Sequence, residues 1–294
     1  NGFDATQTGN SSMFEWDEAS QGWNGIPNTD TKKLKVGDAY ALMIRGDRST
    51  PLNSNDDIGP ATTLRFTGDL EFNNQTISAF APDEAYNLIA NPYQAIVDAK
   101  TLIENDATDL KSTIYVYDPT LGTQGGYATI DLTQSTPVGT PYDNTLSGGT
   151  EANQFILPNQ AFFVETTDSN NDNTVSPALT FKEEHKNTGA GFVDTFSATN
   201  ILSEMHINLR RQPADVLVDG VTARFDAQYS NAVNNADADE VWNYDEWVAL
   251  FNSGNYLSIE KRASPVANDT LQIYTGNYQA DAYVWQIDMS NINR

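Results

Sequence analysis

Apolar and polar positions alternate with a period of two in short runs along most of this chain. β-branched and aromatic residues dominate these runs and turn residues bound them, which is typical of strands with one buried face. The clearest runs are 39–44 (AYALMI), 62–66 (TTLRF), 113–117 (TIYVY), 161–165 (AFFVE), 205–209 (MHINL), 222–225 (TARF), 256–260 (YLSIE), 271–274 (LQIY) and 283–287 (YVWQI). We therefore predict a mainly β fold of antiparallel, β-sandwich or jelly-roll-like units.

Two segments depart from this alternation and predict short helices. The first follows Asn91 and Pro92, a helix-capping residue before a proline at the first helical position. Its apolar residues on one face are Ile96, Ala99 and Ile103. The second covers 239–251, and its residues at helical spacing are Val241, Tyr244, Val248 and Phe251.

The chain has 294 residues, enough for one large β domain or two ordinary ones. A polar, glycine-containing stretch at 186–191 (KNTGAG) separates two strand-like runs. We place a division there and predict one β-sandwich-like unit at 1–185 and a second at 186–294. We expect the second unit to be incomplete after the run at 283–287, so that further strands of the same polypeptide or another subunit complete its sheet.

The charge balance is strongly acidic, with 16 Lys and Arg against 40 Asp and Glu and a formal net charge of -24. Such a surface repels phosphate backbones and anionic membranes, so we expect no nucleic-acid partner. No apolar stretch is long enough to span a bilayer, so we expect no membrane insertion. The absence of cysteine excludes disulfides and thiolate metal sites.

Two acidic segments are candidate Ca²⁺ sites. Asp168, Asn170 and Asp172 place oxygen ligands at every second position, as calcium loops do. The segment lacks the glycine and the final acidic residue of an EF-hand, and a polar hairpin tip is the alternative interpretation. Asp237 and Asp239 form the second candidate.

Catalytic chemistry finds little support in the residue pattern. The two histidines, His185 and His206, have no partner at ligand or triad spacing. Carboxylates are so abundant that no pair identifies a hydrolase cleft. We therefore predict that the chain is not an enzyme.

Two further patterns suggest binding. The segment 45–47 spells the integrin tripeptide Arg-Gly-Asp, but it follows a strand-like run directly and a turn is the better account. Five tryptophans offer a platform for stacking sugars, with core or sheet-face packing as the alternative. They are Trp16, Trp23, Trp242, Trp247 and Trp285.

Several segments together resemble the β-rich extracellular regions of Bacteroidota surface proteins and adhesins exported by the type IX secretion system. These segments are 34–50 (LKVGDAYALMIRGDRST), 63–70 (TLRFTGDL), 87–98 (NLIANPYQAIVD), 114–119 (IYVYDP), 156–165 (ILPNQAFFVE), 179–184 (LTFKEE), 237–245 and 257–262 (LSIEKR). The resemblance spans nearly the whole chain in order. It implies an extracellular, cell-surface location and carries over no catalytic residues.

These observations favour a non-catalytic surface protein, either an adhesin or a structural component of an appendage or filament. Its expected partners are like subunits or other segments of the same large protein. The alternative is a carbohydrate-binding module of a secreted polysaccharide-active protein, with cell-surface glycans as ligands.

Overall fold

The computed structural model describes residues 10–29, 31–43, 68–78, 80–81, 84–142, 149–167, 176–187 and 203–290. In these ranges the chain is mainly β, which confirms the predicted fold class. The strands are β1 (Met13–Asp17), β2 (Gly22–Gly25), β3 (Tyr40–Leu42), β4 (Gln75–Ile77), β5 (Tyr86–Ala90), β6 (Val97–Asp98), β7 (Ala107–Thr108), β8 (Leu110–Asp118), β9 (Gly126–Asp131), β10 (Gly139–Thr140), β11 (Phe155–Ile156), β12 (Ala161–Thr166), β13 (Ala178–Phe181), β14 (Ser203–Arg211), β15 (Val216–Phe225), β16 (Ala238–Asp239), β17 (Trp247–Asn252), β18 (Asn255–Arg262), β19 (Gln272–Gly276) and β20 (Tyr283–Ser290). A helix, α1 (Ala99–Asp106), and a 3-10 turn, Glu183–His185, interrupt them.

A five-stranded antiparallel sheet in the order β10-β9-β8-β12-β5 is central to the N-terminal half. Two three-stranded sheets, β2-β1-β3 and β4-β13-β7, and the β6–β11 pair accompany it. Inward residues of the five-stranded sheet, the β4-β13-β7 sheet and the β6–β11 pair enclose a first core together with α1. Its members include Ile89, Leu102, Ile114, Ile130, Phe162, Val164, Leu179 and Phe181.

The C-terminal half forms one sheet in the order β19-β17-β18-β15-β14-β20, with β16 paired to β18. Strands β15 and β18 run parallel, whereas the other pairs of this sheet are antiparallel. A second core lies on it, whose members include Ile207, Leu209, Val221, Ala223, Val248, Leu250 and Leu257. The predicted division at 186 falls between the sequences of the two cores. That each half folds as a separate unit stays a prediction.

The first predicted helix exists but begins later than the sequence suggested. Helix α1 starts at Ala99 and is capped by Asp98, whose carboxylate accepts from the N–H of Lys100 at 3.1 Å. The amide of Asn91 instead closes a turn, because it accepts from the N–H of Tyr93 at 3.0 Å. Asn91 therefore stabilises the entry to β6 and does not cap the helix.

The second predicted helix, at 239–251, is wrong. Val248 and Leu250 enter the second core, whereas Trp247 and Phe251 stay partly exposed, so the true period over this stretch is two. Before β17 the chain is irregular, and Asn243 accepts there from the N–H of Tyr127 at 2.9 Å. Tertiary contacts of this kind outweigh the helical spacing.

Candidate functional site

The first predicted calcium segment, Asp168, Asn170 and Asp172, lies outside the described residues. The tripeptide at 45–47 lies outside them as well. Calcium binding at the first segment stays a prediction.

The second predicted calcium segment lies at the start of a strand that pairs with β18. Asp237 is buried, and its two oxygens accept from the backbone N–H groups of Lys261 at 2.7 Å and Asn234 at 2.8 Å. Asp239 instead approaches the amino group of Lys111 at 3.0 Å. Both carboxylates therefore have protein partners, and a calcium role for them stays a prediction.

A third acidic group, not singled out by the sequence, joins α1 to the 3-10 turn. Ligand-type atoms of Asp106, Glu184 and His185 lie within 4.8 Å of one another. The Nδ1 atom of His185 accepts from the N–H of Lys182 at 3.0 Å, so Nε2 carries the proton that it donates to Asp106 at 3.0 Å. The ammonium of Lys182 lies 2.5 Å from Asp106 and lowers the pKa of that carboxyl. The ammonium of Lys182 thus supplies a positive charge to this acidic group.

His206 has a structural position within the C-terminal sheet. Its Nδ1 lies 3.0 Å from the hydroxyl of Thr222, and its ring packs on Tyr142 at 5.1 Å. Glu204 lies 3.4 Å from Nε2. This arrangement fixes the imidazole between β14, β15 and the segment after β10.

The predicted tryptophan platform divides into separate groups. Trp16 and Trp23, on the β1–β2 hairpin, meet Phe163 edge-on at 4.9 and 6.1 Å. The indole N–H of Trp16 donates to the carbonyl of Tyr86 at 2.9 Å. These two residues therefore pack the hairpin onto the five-stranded sheet, as the packing alternative predicts.

Five aromatic rings form a continuous surface, here called the aromatic patch, on β17, β18, β19 and the segment before β17. Its members are Trp242, Trp247, Phe251, Tyr256 and Tyr274. Successive ring centroids are 4.7–5.6 Å apart: Trp242 to Trp247 and to Tyr256, Phe251 to Tyr256 and to Tyr274, and Tyr256 to Tyr274. Trp242 keeps 48% and Tyr274 44% of their surface exposed. The patch lies on the face of the sheet opposite the second core, because Val248, Leu250 and Leu257 of that core alternate with patch residues along β17 and β18.

A glycine lets one of these rings lie close to the edge strand. A Cβ atom on Gly276 would lie 2.4 Å from Cζ2 of Trp247, so only a residue without a side chain fits beneath the indole. Trp247 and Gly276 are register partners across β17 and β19. The position of Trp247 in the aromatic patch therefore depends on this pair.

A buried ionic group lies where the two halves of the chain meet. We call Lys111 of β8, Glu165 of β12 and Asp239 of β16 the acid–amine cluster. The amino group of Lys111 lies 2.8 Å from Glu165 and 3.0 Å from Asp239. A register shift between Val164 and Thr166 makes Glu165 the irregular residue of its strand, and bulges of this kind re-aim a side chain.

The electrostatics of the acid–amine cluster are set by burial. The side chains of Lys111 and Glu165 are only 6% and 3% exposed. Burial raises the pKa of Glu165 to about 8 despite the opposing charge of Lys111, and the charge of Asp239 raises it further. Burial by itself lowers the pKa of Lys111, but the charges of Glu165 and Asp239 outweigh that effect and raise it. At neutral pH Glu165 is therefore largely protonated beside the ammonium of Lys111.

The sequence analysis did not single out this cluster, although a signal was present. Lys111 and Glu165 are the single charged residues of the strand runs LKSTIYVY and AFFVET. A charge at such a place needs a buried partner. The identity of the partner depends on the strand register, which the sequence does not reveal.

A family model described as Domain of unknown function (DUF8693) matches residues 3–291. The chain belongs to the DUF8693 family. No curated protein and no solved structure matches it. The DUF8693 match runs through both cores and through the acid–amine cluster, so the family domain includes both halves of the chain.

The described part of the DUF8693 chain contains no helix that is long and apolar enough to cross a membrane.

Proposed function

We propose that this chain is a non-catalytic module of an extracellular bacterial surface protein, exported by the type IX route, and that it acts by adhesion. The observation that carries the adhesive role is the aromatic patch. Large apolar rings that stay exposed beside a filled core are typical of contact surfaces.

The charge distribution adds to this proposal. The formal net charge of -24 favours solubility outside a cell and disfavours anionic partners. The uncharged aromatic patch is therefore a better contact surface for neutral ligands than for nucleic acid or acidic polymers. The export route and the cell-surface location rest on the resemblance to Bacteroidota surface proteins.

The second candidate function is that of a carbohydrate-binding module, and the same patch favours it. Trp242 and Tyr274 are 48% and 44% exposed, and aromatic rings stack on the apolar side of neutral sugar rings. Because successive rings are in contact, the patch suits an extended chain better than a single sugar.

Binding of the full chain to a glycan array, to whole cells and to apolar beads tests the adhesive role. The variants are Trp242→Ala, in the patch, and Phe72→Ala, an exposed aromatic residue outside both the patch and β20. We expect Trp242→Ala to reduce adhesion at least about tenfold, a loss of about 1.4 kcal/mol, and Phe72→Ala to retain it. Equal adhesion of both variants contradicts the proposal.

The same experiment separates the two candidates. Selective capture of one neutral polysaccharide, lost in Trp242→Ala, identifies a carbohydrate-binding module. Adhesion to cells or beads without glycan selectivity identifies an adhesin. Polysaccharide turnover that is abolished by Asp237→Asn or Asp239→Asn contradicts the non-catalytic assignment.

A further inference from the structure

We propose that Lys111 and Asp239 form an intramolecular amide cross-link, promoted by Glu165. This proposal concerns a covalent modification and does not rest on the adhesive role. It starts from the acid–amine cluster, in which one amine touches two carboxyl groups.

The geometry brings the reacting groups together before any reaction. The Nζ atom of Lys111 lies in hydrogen-bond contact with the carboxyl of Asp239, at 3.0 Å from Oδ2. Lys111 lies in β8 and Asp239 in β16, and the packed cores fix the positions of both strands. The two side chains therefore lose little orientational freedom when they react. Such fixed proximity removes most of the entropic barrier to joining two groups.

Burial is the second feature that favours amide formation. Exclusion of water favours a condensation reaction and disfavours a charged pair. Lys111 and Glu165 are almost fully enclosed, and the Oε2 atom of Glu165 is sealed from solvent without a hydrogen-bond partner among the described residues. A buried ammonium and carboxylate keep a large desolvation cost that a neutral amide avoids. The side chain of Asp239 is 34% exposed, which gives the released water a way out.

Glu165 supplies the third condition, a nearby acid that exchanges protons. Its Oε1 atom lies 2.8 Å from Nζ of Lys111, so a proton can pass directly between the two side chains. Glu165 gives its proton to the carboxylate of Asp239 and takes one from the ammonium of Lys111. These transfers leave a neutral amine beside a neutral carboxylic acid.

The bond changes then balance without another reactant. Nζ attacks Cγ of Asp239 and a C–N bond forms. One proton on the nitrogen passes through Glu165 to the hydroxyl of the tetrahedral intermediate, the C–O bond breaks, and one water molecule leaves. The products are an amide and water, and Glu165 returns to its starting state.

A second buried pair in the same protein shows what sets this cluster apart. Lys261 lies 2.7 Å from Asp131, and both side chains are about as buried as those of Lys111 and Glu165. Asp131 also binds Arg224, and the charges of Arg224 and Lys261 lower its pKa against the effect of burial. That carboxylate stays ionised, and an ionised carboxylate resists attack by an amine. We therefore expect no cross-link between Lys261 and Asp131.

The cross-link joins β8 to β16, across 128 positions of the chain and between the two halves. A covalent bond between them resists separation of the halves under tension or in denaturant. It also lowers the conformational entropy of the unfolded chain, as any covalent closure of a long loop does.

Mass spectrometry of the intact, purified chain tests the proposal. We expect the wild type to be lighter than its sequence by one water molecule, and proteolysis to yield a branched peptide that joins Lys111 to Asp239. A folded wild type of full mass overturns the proposal. A water loss that maps to another position, such as a cyclised Asp219–Gly220, also overturns it.

Three variants assign the roles. Lys111→Met and Glu165→Gln are expected to show full mass, whereas Lys261→Met is expected to keep the water deficit. Near-ultraviolet circular dichroism establishes that Glu165→Gln is folded. A branched peptide in folded Glu165→Gln overturns the role given to Glu165.

Discussion

The amino group of Lys261 in β18 lies 2.7 Å from the carboxylate of Asp131 in β9. Arg224 of β15 binds the same carboxylate, and all three side chains are at most 5% exposed. Strand β9 belongs to the N-terminal half, and β15 and β18 belong to the C-terminal half. A buried charge group therefore joins the two halves through one carboxylate.

Asp131→Asn should destabilise the protein strongly. The substitution leaves Arg224 and Lys261 buried with less than their compensating charge. Removal of one partner from a buried ion pair costs about 3–5 kcal/mol. The measurement is the free energy of unfolding from denaturant titration. The matched control is Glu104→Gln, which breaks the exposed helical pair of Lys100 and Glu104 and should cost no more than about 0.5 kcal/mol.

Equal effects of these two substitutions would contradict the assigned role of Asp131. A cross-link between Lys111 and Asp239 would not remove the difference, because both variants retain it. The difference between their free energies of unfolding therefore reports the contribution of the Asp131 ionic group alone.

Asp219 and Glu240 should make stability fall as the pH rises toward neutrality. Burial raises the pKa of Asp219 to about 7, and burial together with the charge of Asp219 raises that of Glu240. In the unfolded chain both carboxyls ionise near pH 4. Between about pH 4 and about pH 7 the unfolded state thus gains from ionisation while the folded pair does not.

The variant Asp219→Asn tests this dependence, because its amide oxygen can still accept from the N–H of Val248, at 2.6 Å in the wild type. Relative to the wild type, its free energy of unfolding should increase by at least about 1.4 kcal/mol between about pH 4 and about pH 8. Carboxyls with lowered pKa values, such as Asp131 and Glu204, contribute stability that is lost on acidification, but they are common to both proteins. A pH-independent difference would contradict the assignment.

Gly220 should not tolerate a side chain. A Cβ atom there would lie 2.2 Å from Oδ1 of Asn208 and 3.0 Å from Cβ of Pro141. Asn208 is buried and donates to the carbonyl of Tyr142 at 2.9 Å, so its displacement disturbs the contact between β14 and the segment after β10. Gly220→Ala should cost about 1–3 kcal/mol in thermal or denaturant unfolding.

The control for this substitution is Gly68→Ala. A Cβ atom on Gly68 meets nothing within 4 Å, and its effect should stay within about 0.5 kcal/mol. A similar loss in both variants would show that the contacts at Gly220 do not limit its side chain.

The sequence predicted the parts of the fold that depend on local alternation. Runs such as 113–117 and 283–287 lie in strands β8 and β20, because the period of two reports which face is buried. The helix predicted for 239–251 was wrong because two periodicities overlap in that segment. Val241, Tyr244, Val248 and Phe251 match a helix by chance, whereas Val248 and Leu250 supply the alternation that the sheet uses.

The candidate sites depend on strand register and were therefore harder to predict from the sequence than the strands. Asp237 and Asp239 looked like metal ligands because they are two positions apart, yet their carboxylates meet different partners on different strands. Trp242 and Tyr274 are 32 positions apart and share a surface only because β17 pairs with both β18 and β19. Pairings of this length leave no trace in one sequence.

The last strand, β20, should make the protein self-associate. It pairs with β14 on one side, and no strand of the described residues pairs with its other side. Trp285, Ile287 and Met289 lie on one face of β20 and are 41%, 53% and 61% exposed. An edge strand with an apolar face attracts another strand, and a second copy carries the same edge.

Size-exclusion chromatography with light scattering over a range of concentrations measures this association. We expect the wild type to exceed its 32.3 kDa monomer mass as the concentration rises. Ile287→Lys should return it to the monomer, because a charge at the centre of the edge opposes pairing. Val266→Lys changes an apolar residue that is 74% exposed outside β20, and it should leave association unchanged. If the wild type is a folded monomer at every concentration, β20 needs no partner strand from a second copy.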